Sequence, residues 1–110
     1  MIKNTIHIVT SSKPSRTILK MLDATTKRFN SVMIDIKGEP IDFRNKNFII
    51  AADLDNVGFN LEIMSFISNV YRKDINVFEN SNAILLVNSP SEYYTKSFSQ
   101  DIILRMNIIS

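Results

Sequence analysis

Residues 47–72 read NFIIAADLDNVGFNLEIMSFISNVYR, and their pattern decides the fold. The first six (47–52, NFIIAA) are almost unbroken apolar, as in a strand covered on both faces. Turn formers follow (53–60, DLDNVGFN), and Gly58 permits a tight turn. From residue 61 to 72 the period changes, with Ile63, Met64, Ile67, Val70 and Tyr71 recurring at helical spacing. Asn60 is placed to cap that helix, and Phe59 and Met64 stand where a hydrophobic staple would sit. A doubly covered strand leading into a helix is the unit from which parallel sheets are wound.

Outward from this unit, three more apolar runs predict strands over 5–10 (TIHIVT), 31–36 (SVMIDI) and 82–88 (NAILLVN). The first and last are nearly continuous. The second alternates at Ile34, Asp35 and Ile36, which suits an edge strand. A helix is predicted over 15–29, with Ile18, Leu19, Met21, Leu22, Thr25 and Phe29 on one face and Pro14 near its first turn. Another is predicted over 90–106. It opens with a capping box, Ser89-Pro90-Ser91-Glu92, and Tyr94, Phe98, Ile102 and Met106 recur every four residues. The succession predicts an α/β domain over 1–110: a three-layer, doubly wound parallel sheet of strand order 2-1-3-4. Right-handed crossovers would place helices on both faces. Residues 37–46 (KGEPIDFRNK) join the second and third runs with fewer residues than the dozen or so a parallel crossover usually takes, so a short helical turn or irregular loop is expected. The tail 107–110 (NIIS) reads as a fifth strand cut short, which would leave the fourth strand as an open edge suited to pairing with another subunit in a homodimer.

Composition removes several classes of chemistry. The chain has no cysteine and one histidine, His7, which excludes thiolate nucleophiles, disulfides and multi-histidine metal sites. His7 lies in mid-strand between Ile6 and Ile8, where a satisfied, partly buried ring is the better reading than a catalytic base. The net charge is +2, and the 13 basic residues are scattered rather than striped, so nucleic-acid binding is not expected. No apolar run approaches the roughly 20 residues of a membrane helix. No basic region followed by a long apolar run opens the chain, so neither a signal peptide nor membrane association is expected, and a cytoplasmic location is.

Ligands of open parallel sheets bind beyond the carboxyl ends of the strands, and three loops there carry polar groups. The first, 10–17 (TSSKPSRT), offers hydroxyls, Lys13, Arg16 and the free N–H groups of a helix start, the parts of a phosphate cradle or of an ordinary helix cap. The second, 53–60, offers backbone amides to the edge of a planar ring, or forms only a turn and cap. The third, 88–94 (NSPSEYY), places Tyr93 where it would stack on a ligand, while Tyr94 belongs to the helix stripe. Asp53 and Asp55 read as turn and cap residues before they read as a catalytic pair.

These segments together resemble flavodoxin-like proteins, and more specifically the NAD(P)H-dependent FMN reductase and iron–sulfur flavoprotein group. The stretch TSSKPSRTILKML after the first strand is similar to the phosphate-binding turn, ending Ser15-Arg16-Thr17 where Gly-Asn-Thr is common. The run from Asn47 to Arg72 is similar to the third strand, flavin loop and following helix, with Phe66, Ile67 and Arg72 at comparable places, and AILLVNSPSEYY follows the pattern of the fourth unit. The resemblance implies noncovalent FMN, with Ser11, Ser12, Ser15, Arg16 and Thr17 around the phosphate, Leu54, Asp55, Asn56, Val57 and Phe59 beside the ring, and Ser89 and Tyr93 on its other side. It implies an NAD(P)H-dependent flavin or quinone-type reductase in which the flavin carries the redox chemistry. The chain departs from the pattern in its phosphate turn, which lacks glycine and contains Pro14, in Leu54 where an aromatic is common, and in the absent proline before the second helix. The missing glycine and ring aromatic, with no counterpart of the family's fifth strand and last helix, favour the alternative, a flavodoxin-like scaffold without flavin that acts through protein contacts. A phosphoacceptor receiver domain would use Asp53, but needs an acidic pair where Thr10, Ser11 and Ser12 stand.

Overall fold

All four apolar runs form strands, and every neighbouring pair is parallel. The computed structural model describes residues 5–38, 42–74 and 76–105. Along the chain these are β1 (Thr5–Thr10), α1 (Arg16–Arg28), β2 (Asn30–Ile34), β3 (Asn47–Asp53), α2 (Leu61–Lys73), β4 (Asn82–Asn88) and α3 (Glu92–Arg105). The sheet order is β2-β1-β3-β4, the order expected of a flavodoxin-like sheet. The predicted fifth strand and Met106 lie outside the described residues.

Register explains the two cores. Ile8 stands opposite Met33 and Ile49, and Ile49 opposite Ile84. Alternation turns Ile8, Ile49 and Ala51 toward α1, where they meet Ile18 and Leu22. It turns Val9, Phe48, Ile50 and Ala52 the other way, onto Ile63, Phe66, Ile67 and Val70 of α2 and Phe98 and Ile102 of α3. Full burial of each such side chain contributes about 1.5–3 kcal/mol. The α1 stripe is narrower than predicted: Leu19, Met21 and Phe29 are exposed, and Ile18 and Leu22 alone are buried. Among the described elements α1 is the one helix packed on its face, so only the line of residues pointing straight at the sheet is covered.

The short crossover from β2 to β3 contains no helix among its described residues. Phe43 does the helix's work of covering the sheet. It is fully buried, with ring centroids 5.0 Å from Phe48, 5.4 Å from Phe78 and 6.1 Å from Phe66. Asn45, at φ 60°, turns the chain left-handed after it, and Asn45 N–H donates to the Glu79 carbonyl at 3.1 Å, tying the crossover to the α2–β4 connection. Asn tolerates that conformation better than most side chains.

Candidate functional site

The carboxyl ends of β3 and β4 and the start of α1 meet at one side chain, Asp53. Its Oδ2 accepts from Ser15 N–H at 2.8 Å, and its Oδ1 accepts from Ser15 Oγ at 2.5 Å and from Asn88 Nδ2 at 2.9 Å. Ser15 is the N-cap of α1, its Oγ also accepting from Ile18 N–H at 3.1 Å. Burial opposes the charge on Asp53, but the donors of Ser15 and Asn88 outweigh it and hold the carboxyl below its ordinary range. A second carboxylate reaches the same loop from α2: Glu62 Oε2 accepts from Ser12 N–H at 3.2 Å. Hydrogen bonding from Ser12 is the main cause that holds Glu62 below its usual value.

The loop after β3 is closed by its own bonds. Asp55 Oδ1 accepts from Val57 N–H and Phe59 N–H, each at 3.0 Å, and Asp55 N–H donates to the Phe59 carbonyl at 2.9 Å. Asn60 bridges outward and inward: Nδ2 donates to the Asp53 carbonyl at 2.9 Å, while Oδ1 caps α2 by accepting from Ile63 N–H at 3.0 Å. Gly58 sits at φ 86°, and a Cβ there would lie 2.7 Å from Cδ1 of Tyr94. The second and third loops therefore touch each other directly. Leu54 N–H donates to the Asn88 carbonyl at 2.8 Å, closing the same seam.

The residues expected around a ligand fall into distinct environments. Ser11 and Ser15 are partly buried, and Ser12, Arg16 and Thr17 are exposed at the entry to α1. Leu54 is buried in the core with Ile50 and Ala52, so it does not line the edge; it continues the apolar run of β3 inward. Asp55 and Asn56 are exposed on the turn, and Val57 and Phe59 project from it, 64% and 52% exposed. Ser89 Oγ donates to the Ser91 carbonyl at 2.8 Å and accepts from Ser91 N–H. That turn displaces the start of α3: its first turn is capped by Ser91, whose carbonyl accepts from Thr95 N–H and whose Oγ accepts from Tyr93 N–H, so Pro90 precedes the helix rather than opening it. Pro14 likewise lies before the cap of α1. Tyr93 is exposed, with its ring 6.0 Å from that of Tyr94. His7 is partly buried as expected, but its Nδ1 lacks the hydrogen bond the pattern implied, because its register neighbours are Val32 and Phe48.

Three partners at the first loop, Asp53, Glu62 and Asn88, were not among the expected ligand contacts. Asp53 carried one sequence signal, a charge at the end of an apolar strand. Glu62 and Asn88 carried none, since their approach depends on how α2 and β4 flank the loop. Among the described residues no group of three or more His, Cys, Asp or Glu is placed to hold a metal ion. No helix of the described residues is long and apolar enough to cross a membrane. No family model, curated protein or solved structure matches the chain.

An FMN phosphate fits this arrangement poorly. Ser15 N–H and Ser15 Oγ, two of the donors at the start of α1, are engaged by Asp53, and the N–H of Ser12 by Glu62. Between the second and third loops, which the resemblance sets on either side of a flavin ring, Tyr94 packs on Gly58.

Proposed function

We propose that this chain is a flavodoxin-like scaffold that acts through protein contacts and holds no flavin. The observation that carries the reading is the Asp53 carboxylate seated on Ser15 N–H, Ser15 Oγ and Asn88 Nδ2, where a phosphate would need those donors. A phosphate entering there would stay beside the displaced carboxylate. Two unit charges 4 Å apart near a protein surface repel by about 4 kcal/mol. A hydrogen bond to a charged group returns about 1.5–3 kcal/mol. The same edge carries an exposed apolar rim of Val57, Phe59, Leu61 and Tyr93, side chains of the kind that fill the centre of protein interfaces.

The rim also favours a second reading, an FMN-dependent NAD(P)H reductase of flavin or quinone type, since Phe59 on the second loop and Tyr93 in the first turn of α3 would flank a ring. Titration of purified protein into FMN, followed by flavin fluorescence, separates the two. The scaffold reading expects no quenching at high micromolar protein. Saturable quenching at one flavin per chain would overturn it and call for turnover assays with NADH and NADPH.

A further inference from the structure

The outer edge of β4 has a sequence that matches itself in reverse. β4 pairs with β3 on one side, and among the described residues no strand pairs with it on the other. Two bonds show which backbone groups face inward: Asn82 N–H donates to the Lys46 carbonyl, and the Asn88 carbonyl accepts from Leu54 N–H. Both are even-numbered, so by strand alternation the N–H and C=O groups of Ala83, Leu85 and Val87 face outward. The strand NAILLVN contains no charge and no proline, the usual protections of an edge.

We propose that this edge pairs antiparallel with the β4 of a second copy of the chain, about a two-fold axis through Leu85. In that register Asn82 meets Asn88 of the copy, Ala83 meets Val87, Ile84 meets Leu86, and Leu85 meets Leu85. Every pair matches like with like. The three outward-facing residues become hydrogen-bonded pairs, each exchanging both bonds with its opposite, as an antiparallel ladder requires. Ile84 is 60% exposed on the α1 face, and the partly buried Leu86 of the copy would cover it. On the other face Ala83, Leu85 and Val87 already pack against the main core, which the copy would extend. The opposite edge lacks this property: β2 (NSVMI) paired with itself about Val32 would set Asn30 against Ile34 and Ser31 against Met33. A two-fold contact of this type is closed, and gives a dimer rather than a fibre. The inference rests on the protein-contact reading and names one partner for it.

Sedimentation equilibrium over a concentration series of the whole chain tests it, alongside Ile84→Lys. Ile84 is exposed, so lysine there leaves the chain's own core intact while setting a charge against the copy's Leu86, as natural edges do to block pairing. A wild-type monomer–dimer equilibrium that Ile84→Lys weakens about tenfold or more is the expected result. A wild type that stays monomeric, or a dimer that Ile84→Lys leaves unchanged, overturns the proposal. Because the chain has no cysteine, single thiols give a second readout. Leu85→Cys should form disulfide-linked dimers on oxidation, since hydrogen-bonded antiparallel partners lie about 5.5 Å apart at Cα. Val32→Cys should not, and cross-linking through Val32 in place of Leu85 would also overturn it. FMN quenching is measured separately: a monomer that ignores FMN sinks the dimer alone, and a dimer that binds FMN sinks the flavin-free reading alone.

Discussion

Replacing Asp53 by asparagine keeps the shape of the side chain and removes the charge and one acceptor. The amide oxygen can take the place of Oδ1 and keep both Ser15 Oγ and Asn88 Nδ2, leaving the amide nitrogen facing Ser15 N–H. One partly buried donor, Ser15 N–H, then loses its partner and meets another donor, which costs about 1–3 kcal/mol. Loss of a negative charge at the start of α1 adds about 0.3–1 kcal/mol. The expected destabilisation is about 2 kcal/mol. For 110 residues, with an unfolding entropy of about 2.1 cal/mol/K per residue, this lowers Tm by about 9 °C. The difference should depend on pH with a definite sign. The carboxyl of Asp53 lies below its ordinary value of 3.8 in the folded state, so its contribution is fully present above 3.8 and is lost as pH falls through the folded value. Thermal melts of both proteins by circular dichroism should therefore diverge near neutral pH and converge in acid. Equal Tm values at neutral pH, or a gap that persists undiminished at the lowest pH where both fold, would refute the account of Asp53 as a charged tie between three elements.

Two further substitutions probe the frame around the site. Phe43→Ala empties a fully buried position that covers the sheet between β2 and β3, and urea denaturation should show a loss of about 3–5 kcal/mol, a large part of a typical 5–15 kcal/mol. Gly58→Ala combines φ 86° with a Cβ 2.7 Å from Tyr94 and should cost about 1–3 kcal/mol; in a Tyr94→Ala background the same change should cost measurably less, because only the backbone part of the strain remains.

How much of this was legible depends on where each piece of information is stored in the chain. The limits of β1 and β4 follow from runs of apolar residues, because a doubly covered strand needs nothing else, and both are where the pattern places them. β2 is less sharp: it ends at Ile34 rather than at residue 36, as an edge strand with one neighbour has less to hold its end. The sequence pattern places the start of α3 two residues early because Ser89 and Ser91 are equally good caps by type, and only the turn between them selects Ser91. Phe43 was hidden, since a single aromatic among Lys37, Glu39, Asp42, Arg44 and Lys46 has no period. The ties from Glu62 to Ser12 and from Asn88 to Asp53 were hidden for another reason. They join residues 50 and 35 positions apart, and no local pattern encodes such a meeting.

That difference bears on function. A parallel sheet sends all its strand ends to one side, so the loops that would cradle an anion are the same loops that must be held together. Backbone N–H groups at the start of α1 need an acceptor whether or not a ligand supplies one. In this chain the acceptor is internal. Asp53, placed at the end of a central strand, accepts from the Ser15 N-cap of α1 and draws in Asn88 from β4, while Asn60 couples the Asp53 carbonyl to the start of α2. A site that depended on a bound phosphate would be stabilised by its ligand and loosened without it. A site closed by its own carboxylate is organised in advance, without waiting for a ligand. Among the described residues, that loop end still exposes the apolar side chains of Val57, Phe59, Leu61 and Tyr93, and the outer backbone of β4 pairs with no strand, which is where the proposed protein contacts would form.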